Sequence, residues 1–337
     1  MKGPFVTSSS RLRFGVIGVG IIGRLHVERL LSPESPADLA AVADASADAA
    51  AAVGAEYGVE AAPSVAALLD RADVDAVIVG VPSGLHAGVA VAALDAGKHV
   101  LLEKPIEVTV DAADRIIDAE KRSGKVLSVV SQRRFAAEHQ FLHGLIASGG
   151  LGRITTANVE IALWRTQEYY DSGAWRGTWA LDGGGALMNQ GVHLVDLALW
   201  LLGDVDEVYA HSGLLAHERI EVEDAITITA RLRSGALVTF LATTAAYDGL
   251  PLRVAITGDG GSAVTVSEKI THLVTRDGLD IPEFDAVDQP LAQLTDFVTA
   301  VEQGTPPLAT SAQARAAVSF IEAAYTSART GQPVKPR

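Results

Sequence analysis

From residue 12 to about residue 131, short apolar runs alternate with longer, alanine-rich amphipathic stretches. That alternation is the pattern of βαβ units feeding a parallel sheet. The runs at 14–17, 39–43, 76–81, 99–102 and 126–130 are β-branched or wholly apolar, as strands covered by helices on both faces require, and are the predicted strands. Helices are predicted over 22–31, 46–56, 84–95 and 109–122. Short connections and right-handed crossovers then give a doubly wound sheet. After about residue 150 the period changes. Thr- and Val-rich runs at 154–164, 225–233, 236–244 and 253–257, punctuated by Arg233-Ser234-Gly235 and Gly258-Asp259-Gly260-Gly261, predict an antiparallel sheet. A helix is predicted at 186–202, and two more, 292–303 and 312–329, close the chain. The expected class is α/β, with domains 1–131 and 132–337 divided where the period changes and the C-terminal helix free to pack back on the first.

Composition narrows the partners more than the fold. A chain of 337 residues, 48% hydrophobic and 20% charged, buries a large core without metal or disulfide, and its length suits two domains. Its 27 basic against 41 acidic residues leave a formal charge of −14, which repels phosphate backbones and anionic membranes. Nucleic acid and membrane partners are not expected. Without cysteine there is no disulfide, thiolate nucleophile or cysteine metal site, and no metal is expected. The first ten residues carry no secretory pattern, and no apolar run reaches the roughly 20 residues of a membrane span. The expectation is a cytoplasmic protein.

Gly18-Val19-Gly20-Ile21-Ile22-Gly23 follows the first strand and opens a helix, which is the context a dinucleotide fingerprint needs. Gly18 permits the tight turn, Gly20 lets backbone approach a pyrophosphate, and Gly23 lets the helix pack on the strand. The amides of Ile21, Ile22 and Gly23 then lie at a helix N-terminus suited to phosphate. Asp44, followed by Ala45, ends the second strand where a carboxylate accepts both hydroxyls of the adenosine ribose. No Arg or Lys lies nearby to neutralise a 2′-phosphate, so NAD is expected over NADP, although FAD uses the same glycines. Taken singly, these are a glycine-rich turn and a helix-capping Asp.

Ligands in open parallel sheets lie beyond the carboxyl ends of the strands. Two such ends are polar: Pro82-Ser83-Gly84-Leu85-His86, and Glu103-Lys104-Pro105. An ammonium beside a nicotinamide pocket can exchange a proton with a substrate oxygen. To act as a base, Lys104 needs its pKa brought from about 10.4 toward about 7 to 8, roughly 3 to 5 kcal/mol, which partial burial can supply. The plainer reading is a solvated lysine bridging to Glu103. In the second half, Asp182-Gly183-Gly184-Gly185 precedes the predicted helix, where Asn189 and His193 are four apart on one face and Asp196 is placed to fix the imidazole tautomer. A satisfied core histidine is the alternative. Trp164, Arg165, Arg176 and the aromatics at 169, 170, 175 and 179 concentrate rings in a chain with only 5% of them, which suits a sugar's apolar faces and hydroxyl edges, or equally core and interface packing.

In this order, Gly18-x-Gly20-x-x-Gly23, Asp44, Pro82 with His86, Glu103-Lys104-Pro105, Gln132-Arg133-Arg134-Phe135, the block from Gly183 to Asp196, and Ser327-Ala328-Arg329-Thr330-Gly331 resemble the Gfo/Idh/MocA family (glucose-fructose oxidoreductase, inositol dehydrogenase, rhizopine catabolism protein). The resemblance runs through nearly the whole chain. It implies an N-terminal Rossmann doubly wound parallel sheet and a C-terminal α/β domain with a large open, mainly antiparallel sheet that commonly oligomerises, here as a homodimer or homotetramer. It implies that Lys104 and His193 flank the substrate carbon, that Pro82, Ser83, His86 and Glu103 line the cofactor pocket, and that Arg133 lies near the domain junction. One position departs: many members carry Asp four residues before the histidine, and this chain has Asn189, whose amide can hold a hydroxyl but not accept a proton.

The expected function is an NAD(P)-dependent dehydrogenase oxidising a secondary alcohol of a sugar, cyclitol or sugar derivative. Arg165, Arg176 and Arg133 leave room for phosphorylated or nucleotide-linked sugars. The alternatives are an NADPH-dependent carbonyl or imine reductase and a cofactor-binding regulator that has lost the reaction.

Overall fold

Five short, mostly buried apolar runs and one edge pair build a parallel sheet in the first half of the computed structural model, which describes residues 11–337. The secretory-leader reading of residues 1–10 lies outside them. The strands are β1 (Arg13–Ile17), β2 (Asp38–Ala43), β3 (Glu60–Ala61), β4 (Ala76–Val79), β5 (His99–Leu102) and β6 (Leu127–Val129), in the order β3-β2-β1-β4-β5-β6. Every neighbouring pair is parallel. Helices α1 (Ile21–Leu31), α2 (Ala47–Tyr57), α3 (Val65–Leu69), α4 (His86–Asp95) and α5 (Val110–Ser123) make the crossovers. Their ends follow local chemistry. Ser46 and Thr109 cap α2 and α5 by accepting the amides of Ala49 and Ala112, and Gly58 and Gly124 close them in the left-handed region. Strand order reverses between β1 and β4, opening the crevice where ligands of such sheets lie. The predicted strand 76–81 stops at Val79, because Gly80 and Pro82 take the chain into a turn. Neither β3 nor α3 was predicted; each is too short to show a period.

In the second half, α6 (Ala137–Ala147), β7 (Ile154–Ala162), α7 (Gln167–Asp171) and α8 (Val192–Leu202) precede a run of strands: β8 (Val205–Gly213), β9 (Ala225–Leu232), β10 (Leu237–Thr243), β11 (Arg253–Gly258), β12 (Gly261–Val266) and β13 (Lys269–Thr275). These form a seven-stranded sheet ordered β13-β12-β11-β7-β10-β9-β8, in which β10 runs parallel to β7 and the other neighbours are antiparallel. One face is core and the other open. Along β9, Ile226, Ile228, Ala230 and Leu232 are buried while Thr227, Thr229 and Arg231 are exposed. Strands β8, β12 and β13 escaped the sequence reading. The β12–β13 turn is made by Ser267 and Glu268 at φ +46° and +76°, without the Asn-Gly or Asp-Gly that announces a tight hairpin.

The helix predicted over 186–202 is two pieces. Residues Ala186–Gly191 wind as a π-helix and α8 follows at Val192. The final helices, α9 (Gln289–Gln303) and α10 (Ser311–Thr330), return to the first half. Leu294, Phe297 and Val298 of α9 join Phe14, Val16 and Val42 in one core, with the Phe14 and Phe297 rings 5.8 Å apart. Packing of α10 reaches α5, α8 and β8. A buried ion pair ties the turn after β6 to α8. Arg134 donates from Nε and Nη2 to the two Asp196 oxygens at 2.8 and 2.6 Å, and from Nη1 to Gln313 Oε1 at 2.7 Å. Among the described residues, no helix is long and apolar enough to cross a membrane.

Candidate active site

The β1–α1 turn is shaped by close contact. Gly18 sits at φ +89°, and a Cβ on Gly23 would come within 1.8 Å of the Gly18 carbonyl oxygen, so a side chain at 23 would force helix and strand apart. Gly20 is different: a Cβ there meets nothing within 4 Å. It caps α1 without a side-chain acceptor, and Ile21 is 75% exposed beside it. The first-turn amides therefore face open space that fits a pyrophosphate. Asp44 is held at the end of β2, its Oδ2 accepting the Val19 amide at 2.9 Å and its Oδ1 the Ser46 amide at 3.0 Å. The turn and the acid are thus one rigid unit, with carboxylate lone pairs left for ribose hydroxyls; the exposed Ala45 stands beside it. Replacing Asp44 by alanine is expected to weaken NADH binding roughly 10- to 100-fold, the worth of hydrogen bonds to a charged group. NADPH binding should fall less, because the acid no longer repels a 2′-phosphate. Fluorescence titration with both cofactors checks this, and an unchanged NADH/NADPH ratio would contradict it.

Beyond β4, Pro82 leads into a 3-10 turn at Ser83–Leu85, and the Gly84 amide donates to the Leu181 carbonyl of the second half at 2.9 Å. His86 is buried, its ring wedged between the carbonyls of Pro105 (2.8 Å) and Val81 (3.0 Å). It braces the loops after β4 and β5 against each other, and burial pushes its pKa down. Beyond β5, Glu103 is also buried and binds His26 Nε2 of α1 at 2.8 Å. Burial alone would raise its pKa; the His26 bond and the charges of His26 and Lys104 outweigh that and hold it at about 2. Glu103 is thereby committed to α1, and Lys104 is not a solvated lysine bridging to it.

Lys104 Nζ instead reaches across to the second half and donates to the Asn189 carbonyl oxygen at 2.9 Å. Asn189 lies in the π-helical segment, whose i→i+5 winding departs from the regular ladder and frees carbonyls for other donors. Lys104 and His193 line the same small cavity with Pro105, Val129 and Val192. Burial pushes both groups toward neutrality, and the charges of Lys104 and Arg133 reinforce the effect on His193, whose pKa lies well below its ordinary value. Asp196 does not orient His193: its carboxylate is spent on Arg134, because a fully buried guanidinium needs a bidentate partner.

The aromatic segment closes the far side. Tyr169 Oη accepts from Arg176 Nη1 at 2.7 Å and Gln190 Nε2 at 3.1 Å, while the Arg165 and Arg176 guanidiniums stand 5.0 and 4.4 Å from its ring centroid. Arg165 Nη2 reaches Gln190 at 3.4 Å. Trp164 packs on His217 and Tyr247 instead. Arg133 is ion-paired with Glu268.

Residues 12–131 match the model of an oxidoreductase family with an NAD-binding Rossmann fold, and residues 139–264 match that family's C-terminal domain. Inositol 2-dehydrogenase 2 of Saccharopolyspora erythraea is 31% identical over 95% of this chain and 94% of its own length. The chain belongs to the Gfo/Idh/MocA oxidoreductase family. Inositol 2-dehydrogenase 3 of the same organism is 36% identical over 57% of this chain; here the chain spans 54% of the relative's length. Among solved structures, the WlbA dehydrogenase of Bordetella pertussis, in complex with NADH and UDP-GlcNAcA, superposes with a TM-score of 0.87 at 32% identity, covering 96% of this chain and 98% of that one. The protein is an NAD(P)-dependent oxidoreductase acting on CH–OH groups, with the Rossmann domain and mainly antiparallel second sheet of its family.

Three site neighbours had no role in the sequence reading. Asp182, buried just before the triple glycine, accepts Asn189 Nδ2 at 2.5 Å and the Gly177 amide at 2.8 Å. Its position beside the glycines was the available signal, and it places a carboxylate next to the family member's unusual Asn189. Glu223 and Tyr325 gave no local signal. Glu223 accepts the Gly185 and Leu187 amides at 3.0 and 2.9 Å and the Tyr325 hydroxyl at 2.9 Å, so it anchors the start of the π-helical segment from 38 residues away.

Proposed function

We propose that the chain oxidises a secondary alcohol of a sugar, cyclitol or sugar derivative to a ketone, with Lys104 as general base and His193 as the second group on the substrate oxygen. The supporting observation is that Lys104, from the carboxyl end of β5, and His193, from α8, line one cavity between the two halves. Bound NAD supplies a hydride acceptor at nicotinamide C4. As the neutral amine, Lys104 donates one N–H to the Asn189 carbonyl and keeps its lone pair for the substrate hydroxyl proton. The neutral imidazole of His193 holds the same oxygen. Asn189 and Gln190 supply amide donors and acceptors, and the glycines of the β1–α1 turn with Asp44 carry the cofactor. The relatives named inositol 2-dehydrogenase, from Saccharopolyspora erythraea and Thermotoga maritima, support a polyol substrate.

Because the base is the neutral form, the rate of oxidation should rise as pH climbs through the Lys104 pKa, which burial places below the ordinary lysine range. The reverse reduction should fall over the same interval. Initial rates in both directions with NAD+ or NADH and a panel of polyols, sugars and their ketones test the assignment. No turnover on any of them, with NADH still bound tightly, would leave only a cofactor-binding protein.

We also place the activity in the cytoplasm, where a nicotinamide pool is available, and assign the open face of the second sheet to a homodimer or homotetramer contact. Leu237, Thr239, Thr229 and Arg231 leave that face uncovered. Sedimentation of the wild type against Leu237→Glu distinguishes this from a monomer.

A further inference from the structure

Arg165 and Arg176 stand out in a chain of net charge −14. The other arginines nearest the cavity have acidic partners, Glu268 for Arg133 and Asp196 for Arg134. Arg165 and Arg176 instead spend their bonds on Gln190 and Tyr169, neutral groups. The Nε atoms of Arg133 and Arg165 are both buried with no hydrogen-bond partner among the described residues, but Arg133 has a carboxylate on another of its nitrogens and Arg165 has none. A buried N–H of a charged group left unpaired is costly, and such an orphan on a side chain that reaches Gln190, next to the Asn189 that holds Lys104, points to a donor awaiting an acceptor.

The pair is also built, not draped. Both guanidiniums pack on the Tyr169 ring, whose hydroxyl is fixed by Arg176 and Gln190. His217 Nε2 holds the Arg165 carbonyl at 2.7 Å, and the other ring nitrogen is tied to buried Asp224 at 2.9 Å. Tyr170 is pinned to Thr244 through its hydroxyl at 2.8 Å. Arg176 also stacks on Trp175 at 4.6 Å. The cluster adjoins the reacting centre: Gln190 follows the residue whose carbonyl holds Lys104, and both guanidiniums act on the Lys104 charge.

We infer that the substrate carries an anionic group, a carboxylate or a phosphate, received by Arg165 and Arg176 while its hydroxyl faces Lys104 and His193. The inference rests on the dehydrogenase reading for its setting, and narrows the substrate from neutral polyols to acidic sugars. A guanidinium pair matches the planar oxygens of a carboxylate and the oxygens of a phosphate alike, whereas a neutral polyol leaves both cations without an ion pair, Asp182 acting on Arg176 without bridging to it.

The test compares matched pairs on the NAD-loaded enzyme: D-glucuronate and D-glucose, D-galacturonate and D-galactose, and D-glucose 6-phosphate for the phosphate arm. The best acidic substrate should exceed its neutral parent at least 10-fold in kcat/KM. In Arg165→Gln/Arg176→Gln that ratio should collapse to within threefold of one, chiefly through KM, while Arg165→Lys/Arg176→Lys should keep part of it. Preference for the uronate assigns a carboxylate, and preference for the sugar phosphate assigns a phosphate. A wild type that prefers the neutral parents, or a ratio the glutamines leave unchanged, overturns the inference and leaves the dehydrogenase reading standing. If neither class turns over, calorimetry on the NADH-loaded protein decides. Binding of glucuronate or inorganic phosphate that the glutamine variant loses supports the anion site, and no binding of either overturns it.

Discussion

Lys104→Ala is expected to lower kcat for alcohol oxidation by about 10³- to 10⁴-fold, while NADH affinity changes by less than tenfold. A positioned general base contributes roughly 10²- to 10⁴-fold, and each factor of ten is about 1.4 kcal/mol of barrier. Lys104 stands at the upper end because its amine does two things at once. Its bond to the Asn189 carbonyl fixes the nitrogen between the halves, and burial favours the neutral form that accepts the proton. Lys104→Arg sharpens the test. A guanidinium keeps the charge and can reach a carbonyl, but it does not deprotonate. If the lysine serves as a base, arginine should rescue nothing; if it serves only as a fixed positive charge, arginine should restore much of the rate. Steady-state kinetics beside a fluorescence titration of NADH separates chemistry from binding, and more than a tenth of wild-type turnover in either variant would remove Lys104 from the proton transfer.

Arg134→Met is expected to cost about 3 to 5 kcal/mol of stability, the usual result of removing one partner of a buried ion pair. Asp196 would be left as an uncompensated buried carboxylate, and Gln313 would lose its 2.7 Å donor. The loss comes from the stranded charge, not from any large net worth of the pair, so the double variant Arg134→Met/Asp196→Leu should recover most of it. Urea unfolding of the two variants tests this. A double variant as unstable as the single one would show that the guanidinium acts by its own packing, for instance against the Trp200 ring 5.7 Å away. Because the pair ties the turn after β6 to α8, which carries His193, the single variant should lose activity as well as stability.

Much of this was legible along the chain. Period and apolar runs placed the parallel strands to within a residue or two, since strands buried on both faces leave little else a sequence can do. The glycine turn was legible for a related reason: Gly18 needs a positive φ and Gly23 admits no Cβ against the Gly18 carbonyl, and both constraints act within six residues. Lys104 and His193 were singled out as candidates at a strand end and on a helix face, and their proposed roles came from the family resemblance. Less was visible where contacts are non-local. The hairpin at Ser267 and Glu268 has left-handed residues without the usual turn pair, so β12 and β13 passed unseen.

The residues therefore dictate, by themselves, a cradle for a dinucleotide and the two candidate groups proposed to face a substrate, because steric limits and periodicity are written locally. Only the folded chain decides what those groups do. Asp196, three residues past His193, is claimed by Arg134 from 62 residues away, and Asp182 binds the Asn189 side chain from just before the triple glycine. Glu103 turns to His26, and Lys104 finds a carbonyl 85 residues on. A buried charge takes whichever partner packing brings within about 3 Å, and sequence distance does not enter that competition.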